Sequence, residues 1–272
     1  MQHWQVATPV LDLGIFLSGL VVALLATTLT WVVSLFKHDV SIVDSVWSLV
    51  LLALCATYFM QYEFSTTRGA IVLALAAIWA LRLSAYISWR NRGEPEDARY
   101  QAIREKYSPH FAVKSLGIVF LLQGVLAWII SLPLLAAITG SRPLNLIDAA
   151  AVALVLFGTL FESIADIQLA RFRAAPGNRG RVLDTGLWRY TRHPNYFGEC
   201  CVWWGFYLFA VAAGGWWSII SPILMTFLLL RVSGVALLEK DIRERRPEYA
   251  GYIKRTNAFL PGLPRDGCKP AS

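Results

Sequence analysis

The chain alternates long apolar runs with short polar stretches. A membrane-spanning helix needs about 20 predominantly apolar residues, because each residue adds about 1.5 Å along the axis of a helix that must cross about 30 Å of hydrocarbon. Seven runs are long enough, at residues 11–36, 41–60, 69–89, 115–139, 144–163, 196–214 and 216–238. The pattern predicts an all-α integral membrane protein, a bundle of about seven transmembrane helices.

The composition supports this class. Of the 272 residues, 56% are hydrophobic and 16% are charged, whereas a soluble domain has about 45–50% apolar and roughly 25% charged residues. The imbalance excludes an ordinary soluble enzyme, a disordered chain and a nucleic-acid-binding module. We find no internal repeat or composition break, so we expect a single domain over residues 1–272, with most motifs between 162 and 262.

The positions of the basic residues predict an orientation. Nearly all of the 25 Lys and Arg residues lie in the first, third and fifth loops and the C-terminal tail, while the opposite side has only Arg68 and Arg142. Loops rich in Lys and Arg stay in the cytoplasm. We therefore expect a multi-pass protein with its N-terminus outside, and with its basic loops and C-terminus in the cytoplasm. On this interpretation, the net charge of +7 reflects topology and not a nucleic-acid partner.

Signatures of metal sites and of soluble nucleotide-binding folds are absent. The four Cys and four His residues are scattered, without a CxxC or HExxH pattern, so we expect no metal. Neither GxGxxG nor GxxxxGK[ST] occurs. A nucleotide would therefore have to bind within a helical membrane bundle and not on a Rossmann sheet.

Ionisable side chains at membrane depth mark candidate functional positions, because each is unfavourable there unless it is paired or hydrated. The candidates are Asp44, Arg82, Glu162, Asp166, Glu199 and Arg231, with Glu239 at a helix end. Three pairs have the four-residue spacing that places both members on one helical face: Arg82 with Tyr86, Glu162 with Asp166, and Asn195 with Glu199. Ion pairing within the membrane could also account for Glu162 and Asp166. For Asp44 the alternative is a capping box with Ser41.

The densest polar stretch is Gly186-Leu-Trp-Arg-Tyr-Thr-Arg-His-Pro-Asn-Tyr-Phe-Gly-Glu199. Pro194 favours the start of a helix and an extended conformation at the preceding residue. This places His193, Asn195 and Tyr196 at a helix N-terminus, where phosphate and amide groups bind favourably. The arginines at 171, 173, 179, 181, 189 and 192 could hold a phosphate group or contact lipid headgroups.

These motifs resemble those of the steroid 5α-reductase family, especially its bacterial branch. The resemblance rests on Gly186-Leu-Trp-x-Tyr190 and Asn195-Tyr-Phe-Gly-Glu199, preceded by Asp166, Arg173 and Arg181. It extends to Ser41-Ile-Val-Asp-Ser-Val-Trp47, Trp89-Arg-Asn-Arg-Gly-Glu94 and the tail from Leu238 to Tyr249, and so covers about residues 40–262.

The resemblance implies a seven-helix membrane reductase. Such an enzyme binds NADPH from the cytosol and reduces a carbon–carbon double bond conjugated to a ketone, in a lipophilic substrate that enters from the bilayer. The implied cofactor contacts are Asp166, Arg173, Arg181, Tyr190, Asn195 and Glu199, with Asn195 and Glu199 at the nicotinamide amide and the arginines at the phosphates. From the residue pattern we add Glu162, Arg171, Arg192, His193, Tyr196 and Glu239.

The substrate side departs from the family pattern. Family members that act on steroids have a Gln–Glu pair in the second helix and a Tyr in the third helix, whereas here those regions have Asp44 with Trp47, and Trp79. Reduction of an enone requires a hydrogen-bond donor at the developing enolate oxygen. We expect Asp44, kept protonated by burial, or Tyr86 to be that donor.

Two other functions fit parts of the sequence. Arg192-His-Pro-x-Tyr196-x-Gly198, Glu239 and Glu248-Tyr-x-x-Tyr252 are similar to isoprenylcysteine and phospholipid methyltransferases, which bind S-adenosylmethionine. A membrane scaffold whose basic loops contact anionic lipids is the non-enzymatic alternative. Asn195 with Glu199, and the series Asp166, Arg173 and Arg181, favour the reductase.

Overall fold

A computed structural model describes residues 11–63, 66–232 and 249–265. Every regular element within these ranges is a helix, as the apolar runs predict. The α-helices are α1 Leu13–Lys37, α2 Ile42–Gln61, α3 Thr67–Arg90, α4 Ala98–Lys106, α5 Phe111–Ser115, α6 Leu122–Ile130, α7 Leu132–Thr139, α8 Leu146–Ala174, α9 Pro194–Ala213, α10 Ile220–Phe227 and α11 Tyr249–Arg255. Shorter π and 3-10 segments occur at Leu116–Leu121, Pro176–Asn178, Gly186–Arg189, Trp216–Ile219 and Leu228–Val232.

Six helical runs in the described residues are long and apolar enough to cross a bilayer. They are α1, α2, α3, the continuous run Phe111–Thr139, α8 and α9. The chain is therefore an all-α multi-pass membrane protein. The seventh predicted run is described only over Trp216–Val232, which is apolar but shorter than the other six. Its remainder, residues 233–238, lies outside the described residues.

The chain groups into two compact units. The first comprises Met1–Ala149 and Phe206–Ser221, and the second comprises Ala150–Gly205 and Pro222–Ser272. Two of the boundaries fall inside α8 and α9, so both helices continue from one unit into the other. The single domain expected from the composition remains a prediction.

In the first unit, α2 packs between α1 and α3, while α6 packs on α1 and α7 packs on α3. The centre is filled by fully buried side chains such as Leu54 and Trp79. The hydroxyl of Tyr58 lies 2.8 Å from that of Ser131, where α6 ends and α7 begins. This hydrogen bond satisfies two polar groups that lipid could not satisfy.

A buried ion pair joins the start of α3 to the start of α8 in the first unit. Arg68 donates to both carboxylate oxygens of Asp148, over 2.7 and 2.9 Å. Its remaining donors reach the carbonyls of Arg142 and Pro143. Both side chains are almost completely buried. Arg68 is thus a structural residue that fixes the loop before α8.

In the second unit, α8 and α9 touch through their backbones. A Cβ atom added at Gly198 would lie 2.7 Å from both the Glu162 nitrogen and the Gly158 oxygen. A Cβ atom added at Gly158 would lie 2.5 Å from the Gly198 oxygen. Helices this close admit only glycine at their crossing, as in other membrane helix pairs with small residues at the interface. The crossing places Glu162 directly against the turn of α9 that ends in Glu199.

Replacing Arg68 tests the ion pair. Arg68→Leu leaves the Asp148 carboxylate buried without its cation, so we expect the free energy of unfolding in mixed detergent micelles to fall by about 3–5 kcal/mol. Arg142→Leu is the matched control, because it removes the same charge from an exposed side chain of the loop before α8 and should change stability by less than about 0.5 kcal/mol. Equal stability of the two variants would contradict the structural role of Arg68.

Replacing Gly198 tests the helix crossing. In Gly198→Ala the new methyl group meets backbone atoms that cannot move aside, so the helices must separate, and we expect a loss of about 1–3 kcal/mol. Gly177→Ala is the control, since nothing lies within 4 Å of its Cβ position. Unfolding in detergent would measure both variants. A Gly198→Ala protein as stable as the control would exclude the close backbone contact.

Candidate functional site

The second unit holds a group of buried ionisable side chains near the cytoplasmic ends predicted for α8 and α9. Glu162 and Asp166, one turn apart on α8, are 2% and 4% exposed. On α9, Glu199 is buried and Asn195 is half-buried one turn earlier. His193, immediately before α9, is 3% exposed. Each of Glu162, Asp166, His193 and Glu199 makes at least one polar, charged or ring contact. None of these four residues faces lipid.

The Gly186–Arg189 segment lies over the part of α8 that carries Asp166. The indole Nε1 of Trp188 donates to the Ala165 carbonyl over 3.1 Å. The Leu187 amide donates to the Gln168 side chain over 2.9 Å. Gly186 has φ of +61° and a Cβ there would collide with Gln168, so glycine is required. The Gly-Leu-Trp motif therefore covers one turn of α8.

Helix α9 begins at Pro194, as predicted. The rings of His193 and Tyr196 are stacked, with centroids 5.7 Å apart and planes 5° from parallel. The His193 amide donates to the Thr191 hydroxyl, which in turn donates to the Phe259 carbonyl over 2.8 Å. The His-Pro-Asn-Tyr sequence is thus held in one conformation by the segment that follows α11.

The glycine crossing brings the two helical faces of this group together. Glu162 lies against Gly198, and Glu199 is the next residue on α9. Phe161 and Phe197, which precede Glu162 and Gly198, make an edge-to-face ring contact with centroids 5.5 Å apart. The predicted pairs Glu162–Asp166 and Asn195–Glu199 therefore belong to one contiguous region of the second unit. Three carboxyl groups, an imidazole and an amide can offer both hydrogen-bond donors and acceptors to a polar ligand.

Four predicted phosphate contacts are accessible. Arg171 and Arg173 extend from the end of α8, and Arg179 and Arg181 follow the Pro176–Asn178 turn; all four are exposed. Exposed guanidinium groups suit phosphate oxygens, because each presents a planar fork of donors. Tyr190 is also accessible, with 40% of its surface exposed. These side chains remain candidates for an anionic part of a ligand.

Arg192 has a different role from the predicted one. Its side chain is buried, and its Nη1 atom donates to the carbonyls of Ile253 and Thr256 at the end of α11. A cation there satisfies carbonyls that have no partner within the helix. The backbone amide of Arg192 also donates to the Asn257 carbonyl over 2.9 Å. We therefore exclude Arg192 from the cofactor contacts. The predicted contact Glu239 lies outside the described residues.

The environment of Asp44, in the first unit, differs from the one expected of a hydrogen-bond donor. One carboxylate oxygen accepts from Arg99 over 2.8 Å, and the other accepts from the Tyr100 hydroxyl over 2.6 Å. Both oxygens of Asp44 are thus hydrogen-bond acceptors. The capping-box alternative is also wrong, because Ser41 makes no side-chain cap and its hydroxyl donates to Asp39 instead.

Tyr100 is the residue of this region that the sequence did not reveal. It lies on α4, is 6% exposed, and accepts a hydrogen bond from Gln123 over 3.1 Å. Burial and the neighbouring Asp44 carboxylate raise the pKa of Tyr100 well above its ordinary range, so its hydroxyl remains protonated at physiological pH. Tyr100 is separated from Asp44 by 55 residues of sequence, and only the fold brings the two together.

Tyr86, the other predicted donor, lies near the end of α3. Its ring is near that of Trp89, with centroids 6.2 Å apart, and the Arg90 guanidinium lies 5.9 Å from the ring centroid. The side chain is half-buried. Tyr86 therefore combines a half-buried phenol with a guanidinium over its ring.

A relative and a family model each match most of the chain. An uncharacterised protein of Schizosaccharomyces pombe is 26% identical over 279 residues, covering 91% of this chain and 80% of that protein. No solved structure gave a significant match. The model of a family described as a protein of unknown function, DUF1295, matches residues 30–256, a range that includes both the Asp44 region and the α8–α9 crossing. The chain therefore belongs to the DUF1295 family.

Proposed function

We propose that the protein is a membrane reductase that uses NADPH to reduce a carbon–carbon double bond conjugated to a ketone in a lipophilic substrate. The observation that carries the proposal is the cluster of Glu162, Asp166, Asn195 and Glu199 at the glycine crossing of α8 and α9. The carboxyl and amide groups of these residues offer hydrogen-bond acceptors and donors to a polar ligand, and the steroid 5α-reductase resemblance supports a nicotinamide cofactor.

The residues of the second unit have the chemistry that NADPH requires. The side-chain amide of Asn195 and the carboxylate of Glu199 match the donor and acceptor of a carboxamide. The exposed Arg171, Arg173, Arg179 and Arg181 match its phosphate groups. When bound, NADPH would supply the reducing equivalents, and the protein would supply binding, orientation and exclusion of water.

The proposal assigns the two predicted donors different roles. Asp44 is bound by Arg99 and Tyr100, so we no longer assign proton donation to it. Tyr86 keeps the proposed role of donating a hydrogen bond to the substrate oxygen, since its side chain is only half-buried and the Arg90 guanidinium lies over its ring.

A methyltransferase is the second candidate. The specific observation in its favour is that His193 is buried and that Tyr252 of the tail donates to the carbonyl of Trp188, because both residues belong to the methyltransferase-like pattern. S-adenosylmethionine has no phosphate groups, however, and gives the four exposed arginines no role. The choice of ligand therefore distinguishes the two functions.

We also propose that the N-terminus is outside and the basic loops are cytoplasmic. Arg68, one of the two basic residues assigned to the outer loops, is neutralised by Asp148 inside the protein. Arg142 is then the remaining accessible cation of those loops. This increases the asymmetry on which the positive-inside rule depends.

Ligand-induced stabilisation tests the proposed function. A ligand that binds the folded state raises the melting temperature, so NADPH should raise that of the purified protein in detergent. S-adenosylmethionine should not. Glu199→Gln weakens a contact between a charged group and the carboxamide, which is worth about 1.5–3 kcal/mol, and we expect at least about tenfold weaker NADPH binding. Asn195→Ala removes a contact between neutral groups, worth about 0.5–1.5 kcal/mol, and we expect roughly two- to tenfold weaker binding.

Glu105→Gln, on the exposed surface of α4, is the control and should bind NADPH like the wild type. All variants should have nearly unchanged melting temperatures without ligand. Unchanged NADPH affinity in both site variants, or stabilisation by S-adenosylmethionine in place of NADPH, would reject the reductase.

A further inference from the structure

Two exposed leucines follow α11 in a loop that has a fixed conformation. Leu260 is 66% exposed and Leu263 is 86% exposed. The Gly262 amide donates to the Tyr190 carbonyl over 3.0 Å, and the Arg265 amide donates to the Arg255 carbonyl over 2.9 Å. The Asn257 side chain donates to the Leu260 carbonyl. Residues 260–263, the leucine loop, therefore expose apolar side chains that are held away from the rest of the second unit.

The start of α9 gives the depth of this loop relative to the bilayer. The helix has 20 residues, or about 30 Å, which equals the thickness of the hydrocarbon core. A helix of this length that spans the membrane has no residues left over outside the hydrocarbon core. Its first residue, Pro194, therefore lies at the hydrocarbon boundary. The longer α8, with 29 residues, extends past the boundary by roughly nine residues, or about 13 Å.

The leucine loop is bound to residues just before Pro194. Arg192 and Tyr190, which bind Asn257 and Gly262, precede Pro194 by two and four positions. An extended chain spans at most about 3.5 Å per residue, so these attachment points lie no more than roughly 7 and 14 Å from the boundary. Tyr190 lies closer than this limit, because its backbone has helical and not extended dihedral angles. The headgroup layer is about 5–8 Å thick on each side. The Arg192 attachment point is therefore within the headgroup layer, and the leucine loop beside it is near enough for apolar side chains to enter the edge of the hydrocarbon.

The basic residues next to the leucine loop also suit the surface of a membrane. Lys254 and Arg265 are exposed on either side of it, and Tyr190 is 40% exposed beside its attachment point. Tyr is enriched at membrane interfaces, and Lys and Arg near the surface are attracted to anionic lipids. Apolar residues with basic flanks are the pattern of segments that lie in the interface.

We propose that the leucine loop inserts Leu260 and Leu263 into the interface of a bilayer that contains anionic lipids. The insertion is independent of the proposed reductase function, since it uses none of the buried acids. It fixes the Tyr190–Arg192 segment against the membrane surface, and with it the start of α9.

Photocrosslinking to lipid tests the proposal on the wild-type protein. The protein is reconstituted in vesicles of phosphatidylcholine and phosphatidylglycerol that contain a lipid with a diazirine near the top of its acyl chain. Trypsin cleaves after Arg255 and Arg265, so residues 256–265 form one peptide, and residues 174–179 form the control peptide. We expect lipid adducts at Leu260 or Leu263 and none on the control peptide, which carries the exposed Pro176–Asn178 turn.

The double variant Leu260→Ser/Leu263→Ser should keep its melting temperature, because both side chains are exposed, and should lose the adducts on peptide 256–265. Labelling of the wild-type peptide by a water-soluble diazirine in place of the lipid would overturn the proposal by placing the loop in water. Protection from both reagents would also overturn it, because the leucines would then be covered by another part of the chain or by a second copy.

Discussion

The backbone contact between α8 and α9 is the constraint on which the candidate site depends. Gly158 and Gly198 have no side chains, so Glu162 lies against the turn of α9 that carries Asn195 and Glu199. A larger residue at either position would separate the helices and move the acids apart. The same contact leaves the acids buried among protein atoms, where they are unfavourable unless polar partners are present. Packing and site chemistry are thus determined by the same two glycines.

The apolar runs and the polar motifs were enough to predict much of this arrangement. Hydropathy predicted the helical class, the restricted backbone of Pro194 predicted the start of α9, and four-residue spacing predicted the shared faces of Glu162 with Asp166 and of Asn195 with Glu199. The glycine crossing and the Tyr100–Asp44 hydrogen bond could not be predicted, because they join residues far apart in the chain. Spacing along one helix contains no information about which face meets which neighbour.

The arginines show most clearly that the sequence alone does not determine the role of a basic residue. Arg68 is buried in an ion pair with Asp148, Arg192 holds the carbonyls at the end of α11, and Arg171 is exposed. In the sequence all three count equally as basic residues near membrane ends. Their environments differ because the guanidinium can serve as counter-ion, as donor to carbonyls or as phosphate ligand. Only the last of these roles is relevant to the proposed cofactor.

Hydrogen–deuterium exchange of the purified protein with and without NADPH tests the central claim most directly, since it reports where a ligand acts. If the cofactor binds at the crossing of α8 and α9, NADPH should slow exchange in residues 168–199, which include the arginines and the segment that covers α8. S-adenosylmethionine should leave these amides unchanged. The account would be contradicted if NADPH left exchange in this segment unchanged, or if S-adenosylmethionine slowed it instead.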